Sequence, residues 1–390
     1  MLYIFAKYLV RSGLFFFCKK IVFSDRKTLG RQGPLLLACN HPNSFFDALL
    51  LGAYFNRPVH FLARGDAFRN PWAAKILTAL KAIPIYRLRE GKEYLALNDA
   101  TFERCTAILK QGGIVLIFTE GLCLNQWKLR PLKKGTARIA LNVWKEEPMQ
   151  QRFTILPVSF NYSSFKSFSK NVVIHFGAPI SHNQILRGAS EAEQILELNR
   201  QIFTELEKGM LIDENDAGSI QFLLSNTNSS QDDKSSLLYN LKQRLYQLRL
   251  QQAKKLFSKL NDNKVYPPGK FGFVFTCIEV IVLLAPATVG LVLNLPVYLP
   301  LKSFIKKKTG GTVFYHSALF TVLIITYPIY VFLVSMVLTF LLPSISFWMW
   351  ILAIATTVFC ARVFVDLITG LRNYVAFSKA ERRLVETFLD

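Results

Sequence analysis

Between Gly33 and about Leu206, short β-rich apolar runs alternate with stretches of helical periodicity, the order expected of an α/β domain. The strand candidates are Pro34–Cys39, Val59–Arg64, Ile83–Arg87, Gly113–Phe118, Thr154–Asn161 and Val172–Phe176. Helix candidates fall at Phe45–Tyr54, Trp72–Leu80, Tyr94–Lys110, Thr136–Trp144 and Glu191–Lys208. Most of the strands are unbroken apolar runs rather than alternating ones, which predicts a mixed, mostly buried sheet flanked by helices.

The pattern changes on either side of this block. Residues 1–24 set Lys7, Arg11, Lys19 and Lys20 among aromatic and aliphatic side chains, without the unbroken apolar core and small-residue cleavage site of a signal peptide. A helix lying in the lipid interface fits that composition, as does an ordinary amphipathic core helix. After the α/β block (25–210), residues 211–265 turn to Asn, Ser and Asp and then to a charged, Gln-rich helix from Ser235 to about Leu260. Residues 266–390 read as a membrane region. There, Ser317–Leu342 and Phe347–Asp366 are each long and apolar enough to cross a bilayer.

The remaining apolar run, Phe271–Leu301, is interrupted by Pro286 and Pro296 and holds one acid, Glu279. The positive-inside rule assigns Lys302, Lys306, Lys307, Lys308 and the basic tail from Arg372 to the cytoplasmic side. For the α/β domain to share that side, Phe271–Leu301 must enter and leave by one face, so a proline-broken hairpin or re-entrant segment is expected. Glu279 reads as a residue reaching for the interface or as a functional carboxylate within the membrane.

Charge sharpens this picture. The formal net charge is +21 in a chain that is 51% hydrophobic, a pairing that suits anionic lipid or phosphorylated substrates. Nucleic acid is not an expected partner, because no nucleic-acid motif accompanies the charge. The six cysteines, Cys18, Cys39, Cys105, Cys123, Cys277 and Cys360, form no C-x-x-C pair, so neither a disulfide framework nor a metal site is expected, and no cofactor is implied. Oligomeric state has no signature in the sequence.

The sharpest chemical feature is Cys39-Asn40-His41-Pro42-Asn43-Ser44-Phe45-Phe46-Asp47, directly after an apolar strand. Ligands of open α/β sheets gather beyond the carboxyl ends of strands. Pro42 disfavours helical geometry at His41 and places it in a turn. Ser44 or Asn43 is positioned to cap the following helix, with Asp47 in its first turn and able to point back at His41. A neutral imidazole there can take a proton from an attacking hydroxyl while the carboxylate fixes its tautomer, with no serine nucleophile. Taken alone, the pair better fits a turn histidine beside an acid that complements a helix dipole.

Three more blocks follow: Ile83-Pro-Ile-Tyr-Arg87, Ile117-Phe-Thr-Glu120-Gly121, and Ile155-Leu-Pro157-Val. Between the last two, Arg130, Lys133 and Lys134 lead into a helix whose N-terminal N–H groups favour anions. Cys123, near the site, reads as packing rather than as a nucleophile.

In this order the blocks resemble the glycerol-3-phosphate and lysophosphatidic acid acyltransferase family over roughly residues 34–165. The resemblance implies catalysis by His41 and Asp47, with Asn40 in the same turn on the substrate side. It further implies acceptor and phosphate binding by Arg87, Glu120 and Gly121, and an acyl-donor site shaped by Pro157. Two features depart from the family pattern. Five residues rather than four separate His41 from Asp47, and Leu122-Cys123-Leu124 stands where Thr-Arg-Ser usually follows the glycine. The phosphate role of that absent arginine then falls to Arg130, Lys133 or Lys134.

The expected activity is transfer of an acyl group from acyl-CoA or acyl carrier protein to glycerol 3-phosphate or lysophosphatidic acid, by a multi-pass protein whose catalytic domain is cytoplasmic. Acylation of another lysophospholipid or an acylated amino acid, and a catalytically silent adaptor using residues 212–260, are the alternatives.

Overall fold

The computed structural model describes residues 1–86, 97–162, 164–165, 169–185, 188–210 and 270–376. Arg87, the 211–265 linker and the basic tail beyond residue 376 lie outside these residues. Contacts divide the chain into two units, Met1–Leu14, Ile21–Phe165 and Val172–Glu214 forming the first, and Phe15–Lys20, Lys166–Asn171 and Asn215–Asp390 the second.

The elements up to Gly209 run α1 (Leu2–Phe17), β1 (Cys18–Phe23), β2 (Leu35–Cys39), α2 (Phe45–Tyr54), β3 (Val59–Arg64), α3 (Pro71–Ala79), β4 (Ala82–Ile85), α4 (Leu97–Lys110), β5 (Ile114–Phe118), α5 (Gly135–Trp144), α6 (Glu147–Arg152), β6 (Thr154–Tyr162), β7 (Lys170–Phe176) and α7 (Glu191–Gly209). One seven-stranded sheet takes the order β1-β7-β6-β2-β5-β3-β4. The pairs β2–β5, β2–β6, β3–β5 and β3–β4 are parallel, and β6–β7 is antiparallel, so the sheet is mixed as the apolar runs imply. All five residues of β2 are buried, because a central parallel strand is covered on both faces. One core layer joins Leu36, Val115 and Ile155 of the sheet to Ile139 and Val143 of α5 and to Leu198 and Ile202 of α7.

The N-terminal segment departs from a single helix over residues 1–24. Helix α1 stops at Phe17, and Cys18–Phe23 forms an edge strand beside β7. The sequence CKKIVF carries β-branched residues and two lysines, a composition suited to a sheet edge. On its inner face α1 is tied to the domain: the Tyr3 hydroxyl accepts from the Val59 N–H at 3.0 Å, Lys7 Nζ donates to the Phe55 carbonyl at 2.5 Å, and the Arg11 guanidinium lies over the Tyr54 ring. Its other face leaves Ile4, Phe5 and Tyr8 exposed.

In the second unit the expected hairpin is absent. Lys270–Thr309 is one continuous helix, α8, with Pro286, Pro296 and Pro300 inside it. A proline removes one backbone hydrogen bond. Reversing the chain at depth would expose several backbone groups to hydrocarbon, so continuity is the smaller loss. Helices α9 (Tyr315–Leu341) and α10 (Phe347–Ala376) follow, and all three are long and apolar enough to cross a membrane. Each packs on the other two. Gly290 of α8 meets α10 so closely that a Cβ would lie 2.3 Å from the Thr357 carbonyl oxygen. The Tyr327 hydroxyl donates to Asn294 Oδ1 at 2.7 Å, joining α9 to α8. Glu279 sits in the third turn of α8 and faces outward. A continuous α8 removes the reversal within residues 271–301 on which the parity argument for the cytoplasmic domain rested.

Candidate active site

Strand β2 ends at Cys39 between β5 and β6, and the chain turns there. Asn40 pins the turn to β6: its Oδ1 accepts from the Phe160 N–H at 2.7 Å and its Nδ2 donates to the Phe160 carbonyl at 3.2 Å. Ser44, the last residue before α2, has φ 55° and ψ −150°, a conformation that costs a non-glycine residue about 1–3 kcal/mol. Its hydroxyl makes no capping bond. That corrects the expected cap. The hydroxyl is buried with no hydrogen-bond partner among the described residues, and Asp47 instead accepts from the Asn43 N–H at 2.9 Å.

Asp47 is fully buried in the first turn of α2. Its Oδ2 lies 3.1 Å from His41 Nδ1, and its Oδ1 accepts from the Tyr162 hydroxyl at the end of β6. A proton on Nδ1 is the tautomer this carboxylate favours, and it leaves Nε2 as the ring's acceptor. The imidazole stacks on Phe118 with ring centroids 3.6 Å apart, and its side chain is 11% exposed, enough to be reached.

Glu120, just beyond β5, joins this pair to the basic cluster. Its Oε1 accepts from the His41 backbone N–H at 2.9 Å, and its Oε2 accepts from Arg130 Nε at 2.5 Å. Arg130 Nη2 also donates to the Leu122 carbonyl at 2.6 Å, and Nη1 has no hydrogen-bond partner among the described residues. Gly121 has φ +66°, and a Cβ there would stand 3.0 Å from Lys133 Cγ, so glycine lets that lysine pack beside Glu120. Lys133 and Lys134 are exposed just before α5. Cys123 Sγ accepts from the Ser44 N–H at 2.9 Å, and burial, with help from Asp47, pushes its thiol up to about 12. It is therefore a protonated packing group rather than a thiolate.

The turn after β2 and the ends of β5 and β6 thus bring together His41, Asp47, Glu120, Gly121, Arg130 and Lys133. Asn40 and Pro157 support the scaffold: Pro157 is buried opposite Ala38, and its carbonyl accepts from the Gly177 N–H at 2.9 Å. Sequence reasoning missed Tyr162 and Phe118. The available signal was positional, since both end strands that flank β2. Among the described residues no group of three or more His, Cys, Asp or Glu side chains is placed to hold a metal ion.

The histidine–carboxylate pair thus stands at the carboxyl end of a central strand, with a basic cluster beside it. The Acyltransferase family model matches residues 20–161, the stretch that contains this site. A 1-acyl-sn-glycerol-3-phosphate acyltransferase from Bacillus subtilis is 26% identical over 117 residues, covering 30% of this chain. The match spans 54% of that protein, about half its length. The crystal structure of the 1-acyl-sn-glycerophosphate (LPA) acyltransferase PlsC from Thermotoga maritima aligns with a TM-score of 0.39 and 17% identity, over 58% of this chain and 81% of that one.

Proposed function

We propose that the protein transfers a fatty acyl group from an acyl thioester, acyl-CoA or acyl carrier protein, to a hydroxyl of lysophosphatidic acid or glycerol 3-phosphate. The observation that carries this reading is the His41–Asp47 contact of 3.1 Å in a turn that Glu120 ties to Arg130. His41 Nε2 takes the proton of the acceptor hydroxyl as its oxygen attacks the thioester carbonyl. The new C–O bond forms through a tetrahedral oxyanion, the C–S bond breaks, and the proton passes to the departing sulfur. Arg130, Lys133 and Lys134 hold the acceptor phosphate, together with Arg87, and Pro157 belongs to the acyl-donor side. The absence of an arginine two positions after Gly121, where Cys123 stands, favours one alternative, a different lipid hydroxyl such as that of a lysophospholipid or an acylated amino acid. Purified protein in mixed micelles with acyl-CoA should acylate lysophosphatidate, and His41→Ala should not; acylation of another acceptor alone would select the alternative.

The membrane part of the proposal places the lysine-rich end of α8 at the cytoplasmic face. The chain's +21 charge favours the anionic cytoplasmic leaflet for the acyltransferase domain too, but a single crossing by α8 would put Lys270 and the chain leading to it on the opposite face. The two assignments then exclude each other, and protease access to the domain chooses between them.

A further inference from the structure

The carboxylate of Asp47 does not serve His41 alone. Its second oxygen is the acceptor for the hydroxyl of Tyr162, a residue 1% exposed at the end of β6 and packed against Phe46 and Phe165. Strand β6 is the parallel neighbour of β2, and Asn40 locks the two strands together at Phe160, two residues before Tyr162. The tyrosine therefore reaches Asp47 from the rigid sheet, whereas Asp47 itself stands on α2. A buried carboxylate needs its oxygens satisfied, and a phenol donating to Oδ1 leaves Oδ2 oriented toward the imidazole.

We propose that Tyr162 is a positioning residue for the acyl-transfer reaction, the third member of a Tyr162–Asp47–His41 relay that fixes the base and moderates how strongly it holds a proton. This rests on the acyltransferase reading given above. The relay gives the effect a definite sign. A phenol donating to Asp47 draws off part of its negative charge, so the carboxylate stabilises the imidazolium less than it would unassisted. Removing the hydroxyl concentrates that charge toward His41, and the ring then becomes protonated at higher pH. Among the described residues the other groups facing this centre are Glu120 and Arg130, paired with each other beside the His41 backbone, and the thiols of Cys123 and Cys39, both pushed up by burial and by Asp47.

Tyr162→Phe keeps the ring and its packing while deleting the donor. In the full chain in detergent we expect kcat/KM for lysophosphatidate to fall about tenfold, the fold-change of one charge-assisted hydrogen bond. The acidic limb of the pH–rate profile should move to higher pH by about half a unit or more. The same upward movement should appear in the histidine ring resonances that His41→Gln removes, a readout that needs no substrate. In an Asp47→Asn background, Tyr162→Phe should add little, because the charge it modulates is gone. A purely structural tyrosine would lower thermal stability and leave the limb and the resonances where they were, and that result overturns the assignment. If His41→Ala abolishes turnover while Tyr162→Phe leaves the limb in place, only the role of Tyr162 falls. If His41→Ala retains turnover, the base assignment falls and Tyr162 with it.

Discussion

His41 owes its place in the proposed mechanism to four residues from three parts of the chain: Asp47 from the first turn of α2, Phe118 from the end of β5 with Glu120 just after it, and Tyr162 from β6. Replacing His41 by alanine should lower acyl transfer by about two to four orders of magnitude, the usual worth of a general base, with the fold retained in thermal unfolding because a strand-end turn contributes little to the core. The unmodified enzyme should lose activity on the acidic side as the imidazole protonates, which a pH–rate profile measures. Arg130 calls for a different readout. It pairs with Glu120, whose side chain is 2% exposed, so Arg130→Ala strands a buried carboxylate and should destabilise the domain by about 3–5 kcal/mol, whereas Arg130→Ala with Glu120→Gln should recover much of that loss. Denaturant titration of the two variants separates these outcomes. His41 and Asp47 were legible because proline chemistry and helix-start signals act over a few residues. Tyr162 was not, because its partner lies 115 positions away and only strand order brings the two together.

At the level of elements, the continuous apolar runs identified β2, β5 and β6 almost to the residue, since a strand buried on both faces holds no charged positions to interrupt it. Edge elements were harder. Strand β1 carries lysines inside an aromatic-rich stretch, and its hydrophobic content merged with that of α1. The prolines of α8 predicted a break because in water they would make one; hydrocarbon reverses the balance by penalising every freed backbone group. Helix α1 makes a testable claim of its own. Its inner face is fixed by Tyr3 and Lys7, leaving Ile4, Phe5 and Tyr8 uncovered. A chain truncated after residue 268 and carrying Phe5→Ser and Tyr8→Ser should sediment less with anionic liposomes than the same truncation with both aromatics intact, and salt should weaken the remainder. Equal binding of the two would assign attachment to other residues.

For the molecule as a whole, the decisive matter is which faces of the membrane its parts occupy. In a cysteine-free background, Thr312→Cys, between α8 and α9, should react with an impermeant maleimide only from the cytoplasmic side, and Ser344→Cys, between α9 and α10, only from the opposite side. Labelling of both from one side would mean that α9 does not cross. Protease access to the acyltransferase domain in the same vesicles then assigns its face directly. The length of α8 carries one more consequence. Its candidate span Val274–Thr309 has 36 residues, and even without the lysine-bearing end from Lys302 it is, at about 1.5 Å per residue, longer than the ~30 Å of hydrocarbon that about 20 residues span. Such a helix must tilt, thicken the lipid around it, or stand proud of the bilayer, and each response depends on how long the surrounding acyl chains are. Crossing a bilayer, α8 would register its thickness, leaning further among short acyl chains and straightening among long ones.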